Sequence, residues 1–572
     1  MKKRLIASFK SSFQHNWKPG LAVALINIPL SISLAVASLG SASTNAPLLG
    51  LITAIWAGAF ASIFASNKHN IYGPAGALSG ILLAFVLQKD GGVVYIPFVA
   101  ITAGIIIITV SFLRLTKYIT LIPSAALHGF LMGVGVTIAA SQLNSALGIT
   151  ANVQHEAIYQ NILQTLSQIT ETNWLALLVF ALGLGFLIAM KRWMPKIPGA
   201  IPLTFIGILI GGLFTYLRVH GLWSPSIPTI QTIADKFPSL AFSLVNIPDF
   251  SGVRADIFGH LETAKLILRY SAIVAVIAIL ETIISAKIAE KLTKHKFHKD
   301  REVFGLGISN IASGIVGGMP ATAVLVRTAF NIKSGATNKM SAFLTAVFTL
   351  LIAWLCFDFF KLLPMPIIAA ILMNIAIGMI DVNLYKNIHS LDKLSFYLTL
   401  FVAFVTVADD PIIGIILGTA IALIVFLGKV SKGNVDVTVF RDRAFFDKLR
   451  LSSYTKIQHP NDIIIYRFAG TLNYLNIESQ LEQVKKIVEP KTIIFSFGQV
   501  NSVDIDGIEA FEEIFDYCKE KGIEIYFTGI SHPHIGKTLK KLPIYAEMEK
   551  AGRIYKSSAF VLDHLKLVTL QG

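Results

Sequence analysis

Residues 273–289 read Ile-Val-Ala-Val-Ile-Ala-Ile-Leu-Glu281-Thr-Ile-Ile-Ser285-Ala-Lys-Ile-Ala, an apolar run with one carboxylate inside it. An ionised Asp or Glu is costly at membrane depth, so a carboxylate placed there is a functional-site candidate by default. A basic loop from Lys287 to Arg301 follows, and the chain then returns to apolar sequence and reaches Gly317-Gly318-Met319-Pro320-Ala321-Thr322-Ala323, with Arg327 close behind. A short apolar segment that opens on Gly and Pro is the sequence mark of a discontinuous membrane helix. A coupling carboxylate and an anion site are therefore expected side by side between Glu281 and Arg327.

Working outward, the composition fits that reading. Of 572 residues, 54% are hydrophobic and only 15% charged, against about 25% charged in ordinary soluble domains. Apolar runs of spanning length recur from Leu21 to Val430. After Val430 charged residues become frequent and apolar runs shrink to strand length. Three regions are read: a cytoplasmic N-terminal segment (1–19), a membrane domain (20–430) and a cytoplasmic C-terminal domain (431–572). The net charge of +15 sits in short loops between spans, as the positive-inside rule expects. No basic–aromatic groove pattern points to nucleic acid. Cys356 and Cys518 lie in separate regions and form neither a disulfide framework nor a metal spacing. Met1–Lys18 leads straight into the first span without a cleavage site, so it does not read as a signal peptide.

Fourteen spans are expected, near Gly20–Gly40, Ala46–Ala65, Gly73–Gln88, Val93–Leu113, a fifth after Pro123, Trp174–Met190, Ile201–Tyr216, Leu266–Ala289, Val303–Val316, a short tenth opening at Pro320, Ser341–Phe359, Pro366–Ile380, Leu394–Val407 and Ile412–Leu427. With the N-terminus inside, the inner loops carry the basic residues, while the outer loop Thr150–Thr172 has no Lys or Arg. Fourteen divides into seven plus seven, and an odd half must repeat with inverted topology. The third span opens Gly73-Pro74-Ala75-Gly76-Ala77 and the tenth opens Gly318-Met319-Pro320-Ala321-Thr322-Ala323. Paired Gly/Pro-interrupted segments at corresponding positions point to a midplane binding site.

The tail alternates strands (Asp462–Phe468, Thr492–Phe497, Ile523–Thr528) with helices (Glu478–Val488, Gly507–Lys521, then stretches toward His564). That pattern predicts a mostly parallel sheet covered by helices.

These motifs resemble the sulfate permease (SulP, solute carrier 26 type) anion transporters over nearly the whole chain. The resemblance rests on Gly20-Leu-Ala-Val-Ala with Pro29, Tyr118-Ile-Thr-Leu-Ile-Pro123 leading to Gly129-Phe130, Gly305-Leu-Gly-Ile-Ser-Asn310-Ile through Gly317-Gly318, and above all Arg327-Thr-Ala-Phe-Asn331-Ile-Lys-Ser-Gly335. The tail resembles the family's STAS domain. The resemblance implies a polytopic α-helical membrane protein of core and gate domains with a C-terminal α/β STAS domain. It further implies an elevator-like cycle, dimers in the inner or plasma membrane, and an anion held between the N-termini of spans 3 and 10.

Helix N-termini carry unpaired N–H groups and roughly half a positive charge each, so two facing ends form an anion site. Ala75, Gly76 and Ala77 on one side and Ala321 and Ala323 on the other are small enough to admit the anion. Thr322 adds a hydroxyl, and Val324 lies at the same opening. Arg327, read as two turns into span 10, either supplies positive potential or pairs with a carboxylate such as Glu281. Glu281 and Ser285, four apart, share one helix face. The resemblance makes Glu281 the cation-coupling position. Sodium-coupled bicarbonate members usually have Asp there and a second hydroxyl in span 10, where this chain has Leu325. Proton coupling is therefore expected, with sodium as the alternative and no cofactor or metal. Leu30 and Leu34 replace polar or aromatic family residues and make the pocket more apolar. His128 reads as a packing contact, and Asn27 as a bond across helices. In the tail, Asp504-Ile505-Asp506-Gly507 puts Asp506 where anti-sigma antagonists carry a phosphorylated Ser, which argues for folding, dimer contacts or partner binding.

The expected function is secondary active transport of a small anion of the sulfate, bicarbonate or dicarboxylate class. A sodium–bicarbonate symporter, an uncoupled exchanger or channel, and a purine or uracil permease are the competing readings. No nucleophile–base set or phosphate loop suggests an enzyme.

Overall fold

A computed structural model describes residues 2–88, 92–119, 123–150, 158–195, 197–222, 228–247, 261–408, 411–431, 435–441, 444–449, 462–472, 477, 482, 484–485, 490–530, 539–540 and 543–567. Lys196, Lys432, parts of both long loops and most of the expected helix Glu478–Val488 lie outside the described residues. The chain forms two compact units, Met1–Ala422 and Leu423–Gly572.

The apolar segments are helices: α1 (Lys2–Leu39), α2 (Ala46–Phe64), α3 (Gly76–Leu87), α4 (Ile96–Phe112), α5 (Ser124–Ser141), α6 (Trp174–Trp193), α7 (Ala200–Val219), α8 (Leu261–Thr293), α9 (Lys299–Ile315), α10 (Leu325–Lys333), α11 (Met340–Lys361), α12 (Met365–Met379), α13 (Lys393–Ala408) and α14 (Pro411–Ser431). Every expected apolar segment contains one. Among the described residues, nine helical stretches are long and apolar enough to cross a membrane. Two helices are conspicuously short. α3 has 12 residues and α10 has 9, so at 1.5 Å per residue they reach only about 18 Å and about 14 Å.

What precedes these short helices explains them. Tyr72–Gly73 (β1) pairs antiparallel with Thr322–Ala323 (β2), setting Tyr72 opposite Ala323 and Gly73 opposite Thr322. The Val324 N–H extends the pairing by donating to the Ile71 carbonyl at 2.9 Å. Pro74 and Pro320 have no N–H to offer a helix, and each disfavours helical geometry in the residue before it. The backbone therefore stays extended until Gly76 and Leu325. Because the stubs are antiparallel neighbours, the two helix starts that follow them are brought together.

The surrounding helices pack closely where side chains are smallest. A Cβ placed on Gly307 of α9 would lie 2.9 Å from the Gly104 carbonyl of α4, and one on Gly104 would lie 2.7 Å from the Gly307 carbonyl. Backbone meets backbone at this crossing, as small residues permit in membrane bundles. On α1, Asn27 donates to the Thr349 hydroxyl of α11 at 3.3 Å, the interhelical bond expected of it. α1 starts at Lys2 rather than Gly20, so the N-terminal segment is continuous with the first span. Its buried Asn16 donates to Thr337 and accepts from the Thr337 N–H in the turn between α10 and α11. His128 lends its backbone carbonyl to the Tyr385 hydroxyl.

The second unit holds a six-stranded sheet in the order β4-β3-β5-β6-β7-β8. Its strands are β3 (Val435–Arg441), β4 (Ala444–Leu449), β5 (Ile463–Leu472), β6 (Thr492–Val503), β7 (Glu524–Thr528) and β8 (Ile554–Tyr555). β5 to β8 run parallel, as expected for β5, β6 and β7, with β8 added to them, but β3 pairs antiparallel with both β4 and β5. The hairpin β3–β4 was not foreseen. Its alternating Val-Asp-Val-Thr-Val-Phe follows directly on the last span and reads as linker. α15 (Ile505–Glu520) packs Phe511 and Phe515 against Phe468, Phe495 and Phe497 of the sheet. Asp504 caps this helix by accepting from the Gly507 N–H at 2.9 Å, and Asp506 lies in its first turn. Burial pushes the Cys518 thiol up to about 12, so it stays an unreactive core group.

Candidate functional site

The site is best built from the loop that leads into β1. Glu302, at the start of α9, is fully buried. Its carboxylate accepts from the N–H groups of Ser66 and Asn67, the Asn70 amide and the Tyr72 hydroxyl. Such convergence of donors satisfies an otherwise costly buried charge. It also fixes the course of residues 66–72 and with them the position of β1. On the other arm, Asn310 of α9 donates to the Ala321 carbonyl at 3.0 Å and accepts from the Ala321 N–H at 2.9 Å. Both stubs are therefore held from one helix.

α8 supplies the next layer. The Thr322 hydroxyl donates to Glu281 at 2.8 Å, and the Ala323 N–H donates to the Thr282 hydroxyl at 3.1 Å. One turn on, the Ser285 hydroxyl lies 3.1 Å from both the Asn70 side-chain oxygen and the Thr328 hydroxyl. The Ile71 N–H donates to that same Thr328 hydroxyl. Glu281 and Ser285, read as one face of α8, do point at the two stubs. Glu281 is half-buried while Ser285 is fully buried.

The predicted anion ligands divide. Ala75 is the N-cap of α3 and Val324 that of α10, and neither helix has a side-chain cap. Gly76 and Ala77 open α3, Gly76 half-buried and Ala77 buried. Ala321, Thr322, Ala323 and Val324 line the same opening, but their polar groups are spoken for: the Ala321, Ala323 and Val324 N–H groups go to Asn310, Thr282 and Ile71, and the Thr322 hydroxyl goes to Glu281. The donors left over are the first N–H groups of the two helices.

Arg327 is not two turns deep. Because Pro320 and the β-pairing hold residues 320–324 extended, α10 begins only at Leu325, and Arg327 lies in its first turn. Its side chain is fully buried, and none of its three nitrogens has a hydrogen-bond partner among the described residues. It does not hydrogen-bond Glu281, so the expected alternative of a direct pair is not realised here. The guanidinium lies against the β1 backbone, where a Cβ on Gly73 would come within 2.6 Å of Nη1. Glycine is what leaves room for it. Buried arginine is ordinarily bonded throughout; this one is left unbonded beside two uncapped helix starts.

Sequence reading passed over Asn70 and Glu302 and quoted Thr282 and Thr328 without giving them a role. Asn310 and Asn331 were noted only as motif letters, yet Asn310 clamps Ala321, and Asn331 donates to the His69 carbonyl at 2.9 Å. The available clue was polarity: these are uncharged or acidic groups inside apolar sequence, where unpaired polar atoms are expensive.

Residues 13–403 match the sulfate permease family and residues 454–559 match the STAS domain. The chain belongs to the sulfate permease family. It is 27% identical over 524 residues to the putative sulfate transporter YvdB of Bacillus subtilis, covering 91% of this chain and 92% of that one. It is 23% identical over 540 residues to the bicarbonate transporter BicA of Picosynechococcus, covering 91% and 89%. Among solved structures it is similar to the murine solute carrier 26 family member A9 anion transporter in an inward-facing state. There the TM-score is 0.74 at 14% identity, over 96% of this chain and 90% of the other. The transmembrane domain of a cyanobacterial BicA matches with a TM-score of 0.58 at 21% identity, over 71% and 97%. The sulfate permease family is one of membrane transporters, so the chain is a polytopic helical membrane transporter with a C-terminal STAS domain, and not an enzyme.

Proposed function

We propose that this chain is a secondary active transporter of a small anion of the sulfate, bicarbonate or dicarboxylate class. The anion sits between the N-termini of α3 and α10 and against Arg327. The observation that carries the reading is Arg327 itself, fully buried with every nitrogen free of partners among the described residues. An incoming anion supplies the missing acceptors, and the two helix dipoles add to its binding. The relatives named as sulfate and bicarbonate transporters favour the same class of substrate.

Coupling is assigned to Glu281 and a proton. The ionised carboxylate takes the Thr322 hydroxyl bond on β2. Protonation removes its negative charge from beside the site and makes it a donor in its own right, which alters the stub that is paired with β1. The anion and the proton thus act on one structural element. Fourteen crossings in two inverted sets of seven, core and gate domains moving as an elevator, a homodimer, and cytoplasmic termini complete the proposal. Its support is the placement of the stubs before the third and tenth helices and the distribution of basic loops.

A sodium-coupled reading keeps one specific support. The hydroxyl missing at Leu325 is offset by Thr322 on Glu281 and by Thr328 and Asn70 on Ser285, and a hard cation needs several such oxygens. Uptake of labelled sulfate, bicarbonate and succinate into proteoliposomes separates the readings. An imposed proton gradient at constant sodium should drive accumulation of at least one of them. Saturable sodium stimulation at fixed pH and potential, lost in Ser285→Ala, would replace the proton with sodium. Lack of uptake of every anion tested under either gradient would overturn coupled anion transport.

A further inference from the structure

Away from the Arg327 site, the membrane unit contains a polar cavity of about 230 Å³. The chain segments at the end of α5, the start of α6, the α7–α8 connection and the start of α12 enclose it. Its walls include Ser141, Ser145, Asn173, Gln231 and Lys236. At about 30 Å³ per water, it has room for an anion from the size of sulfate to that of succinate together with some of its water.

The wall is rigid. Asn173 caps α6 by accepting from the Leu175 and Ala176 N–H groups, and it donates to the Thr229 carbonyl at 2.8 Å. Gly148, at φ 69°, turns the chain so tightly that a Cβ there would lie 2.7 Å from Asn173 Cβ. Thr232 and Asp235 form a capping box that fixes the short helix Ile233–Lys236.

The charge balance at this cavity is uneven. Asp235, next in sequence to the lysine, is committed elsewhere. It accepts from the Thr232 N–H and hydroxyl and from Arg218 at 3.0 Å. Lys236 has no carboxylate and no hydrogen-bond acceptor among the described residues. Its one recorded contact is the Phe237 ring, 5.9 Å from Nζ. Burial lowers its pKa, and no neighbouring carboxylate restores it. Ser145 and Gln231, which have donors of their own, likewise make no side-chain hydrogen bond to the described protein. An ammonium in a preformed polar cavity, with neutral donors around it and no counter-charge, is a receptor for an anion.

We propose that this cavity is a second anion site, selective for a small carboxylate or oxyanion, with Lys236 as its cationic anchor and Ser145 and Gln231 as neutral donors. It shares no residue with the Arg327 site and stands whether or not that site is the transport site. The test uses the full-length protein in nanodiscs, with sodium sulfate and sodium succinate as probes and sodium chloride as the ionic-strength control. Trace acetylation followed by mass spectrometry reads the reactivity of Lys236. A bound anion holds the amine protonated and shields it, so either probe should slow acetylation of Lys236 about tenfold, while exposed lysines such as Lys265 are unchanged. Protection should persist in Arg327→Gln, which separates this site from the transport site. In Lys236→Met, assayed by equilibrium dialysis, one bound equivalent should be lost, and Lys236→Arg should restore it. Failure of both salts to protect Lys236 in the unmutated protein would overturn the proposal, and so would an unchanged stoichiometry in folded Lys236→Met.

Discussion

The arms β1–α3 and β2–α10 share a plan and differ in chemistry. Each is a two-residue strand stub, one or two connecting residues (Pro74 and Ala75 in the first arm, Val324 in the second) and a short uncapped helix, and the stubs pair with each other. α3, reading Gly-Ala-Leu-Ser-Gly-Ile-Leu-Leu-Ala-Phe-Val-Leu, has no ionisable residue. α10 carries Arg327, Thr328 and Asn331, all buried, and β2 touches Glu281. One arm contributes shape and a helix dipole; the other contributes charge and the link to α8. Two arms built on one plan thus bring two helix starts together, and one of them places the ionisable groups at the meeting point.

The largest effect should come from breaking the charged arm. Arg327→Met removes the buried cation, and loss of its charge-assisted bonds should weaken sulfate or succinate binding by about 100-fold or more. An unpaired buried charge is itself destabilising, so the anion-free variant should melt no lower than the parent. A thermal melt with and without anion checks both. A sharply lower melting point without anion would show that Arg327 has a structural partner instead.

Glu281→Gln should come next. It keeps the size of the side chain and a bond to Thr322 but cannot change charge. Proton-driven accumulation should vanish, while anion exchange across a membrane without a gradient persists at a reduced rate. Counterflow and gradient-driven uptake on the same vesicles measure the two. Unaltered stimulation by an inward proton gradient would remove Glu281 from the coupling step.

How much of this was legible in sequence follows from the range of each interaction. The helical segments, the Gly/Pro openings and the Glu281–Ser285 face were readable because hydropathy and the 3.6-residue repeat are local. The start of α10 was not. Residues 320–324 stay extended because β1, some 250 residues earlier in the chain, pairs with them, and that misplaced Arg327 by more than a turn. Glu302 went unread between the basic loop that ends at Arg301 and the apolar run that opens at Val303. Its burial depends on donors from 66–72, which no local pattern reveals. In the tail, the parallel strands separated by helices were visible, whereas β8, only two residues long, is defined by its neighbour β7 rather than by its own sequence.

A glycine on each arm sharpens the comparison at equal chemical cost. At Gly73 a new methyl would press on Arg327 Nη1 at 2.6 Å. The guanidinium is the far end of a flexible chain and would shift, so Gly73→Ala should weaken anion binding by about tenfold, the effect of roughly 1.4 kcal/mol.

Gly76→Ala should do far less to binding. A methyl there would meet Ile375 and Met379 of α12 at 3.6 Å and Ile138 of α5 at 3.9 Å, which are ordinary van der Waals distances. The helix would gain slightly from losing a glycine, and the uncapped N–H groups that face the anion would remain. The added methyl lies where α3 meets α5 and α12, away from Arg327. A change there should alter the transport rate by no more than about threefold, well under 1 kcal/mol, and leave the anion affinity as it was. Binding by calorimetry and initial uptake rates on Gly73→Ala and Gly76→Ala together decide the matter. If Gly76→Ala weakens binding as much as Gly73→Ala does, the anion is gripped equally by both arms, and the division between a shaping arm and a charged arm fails.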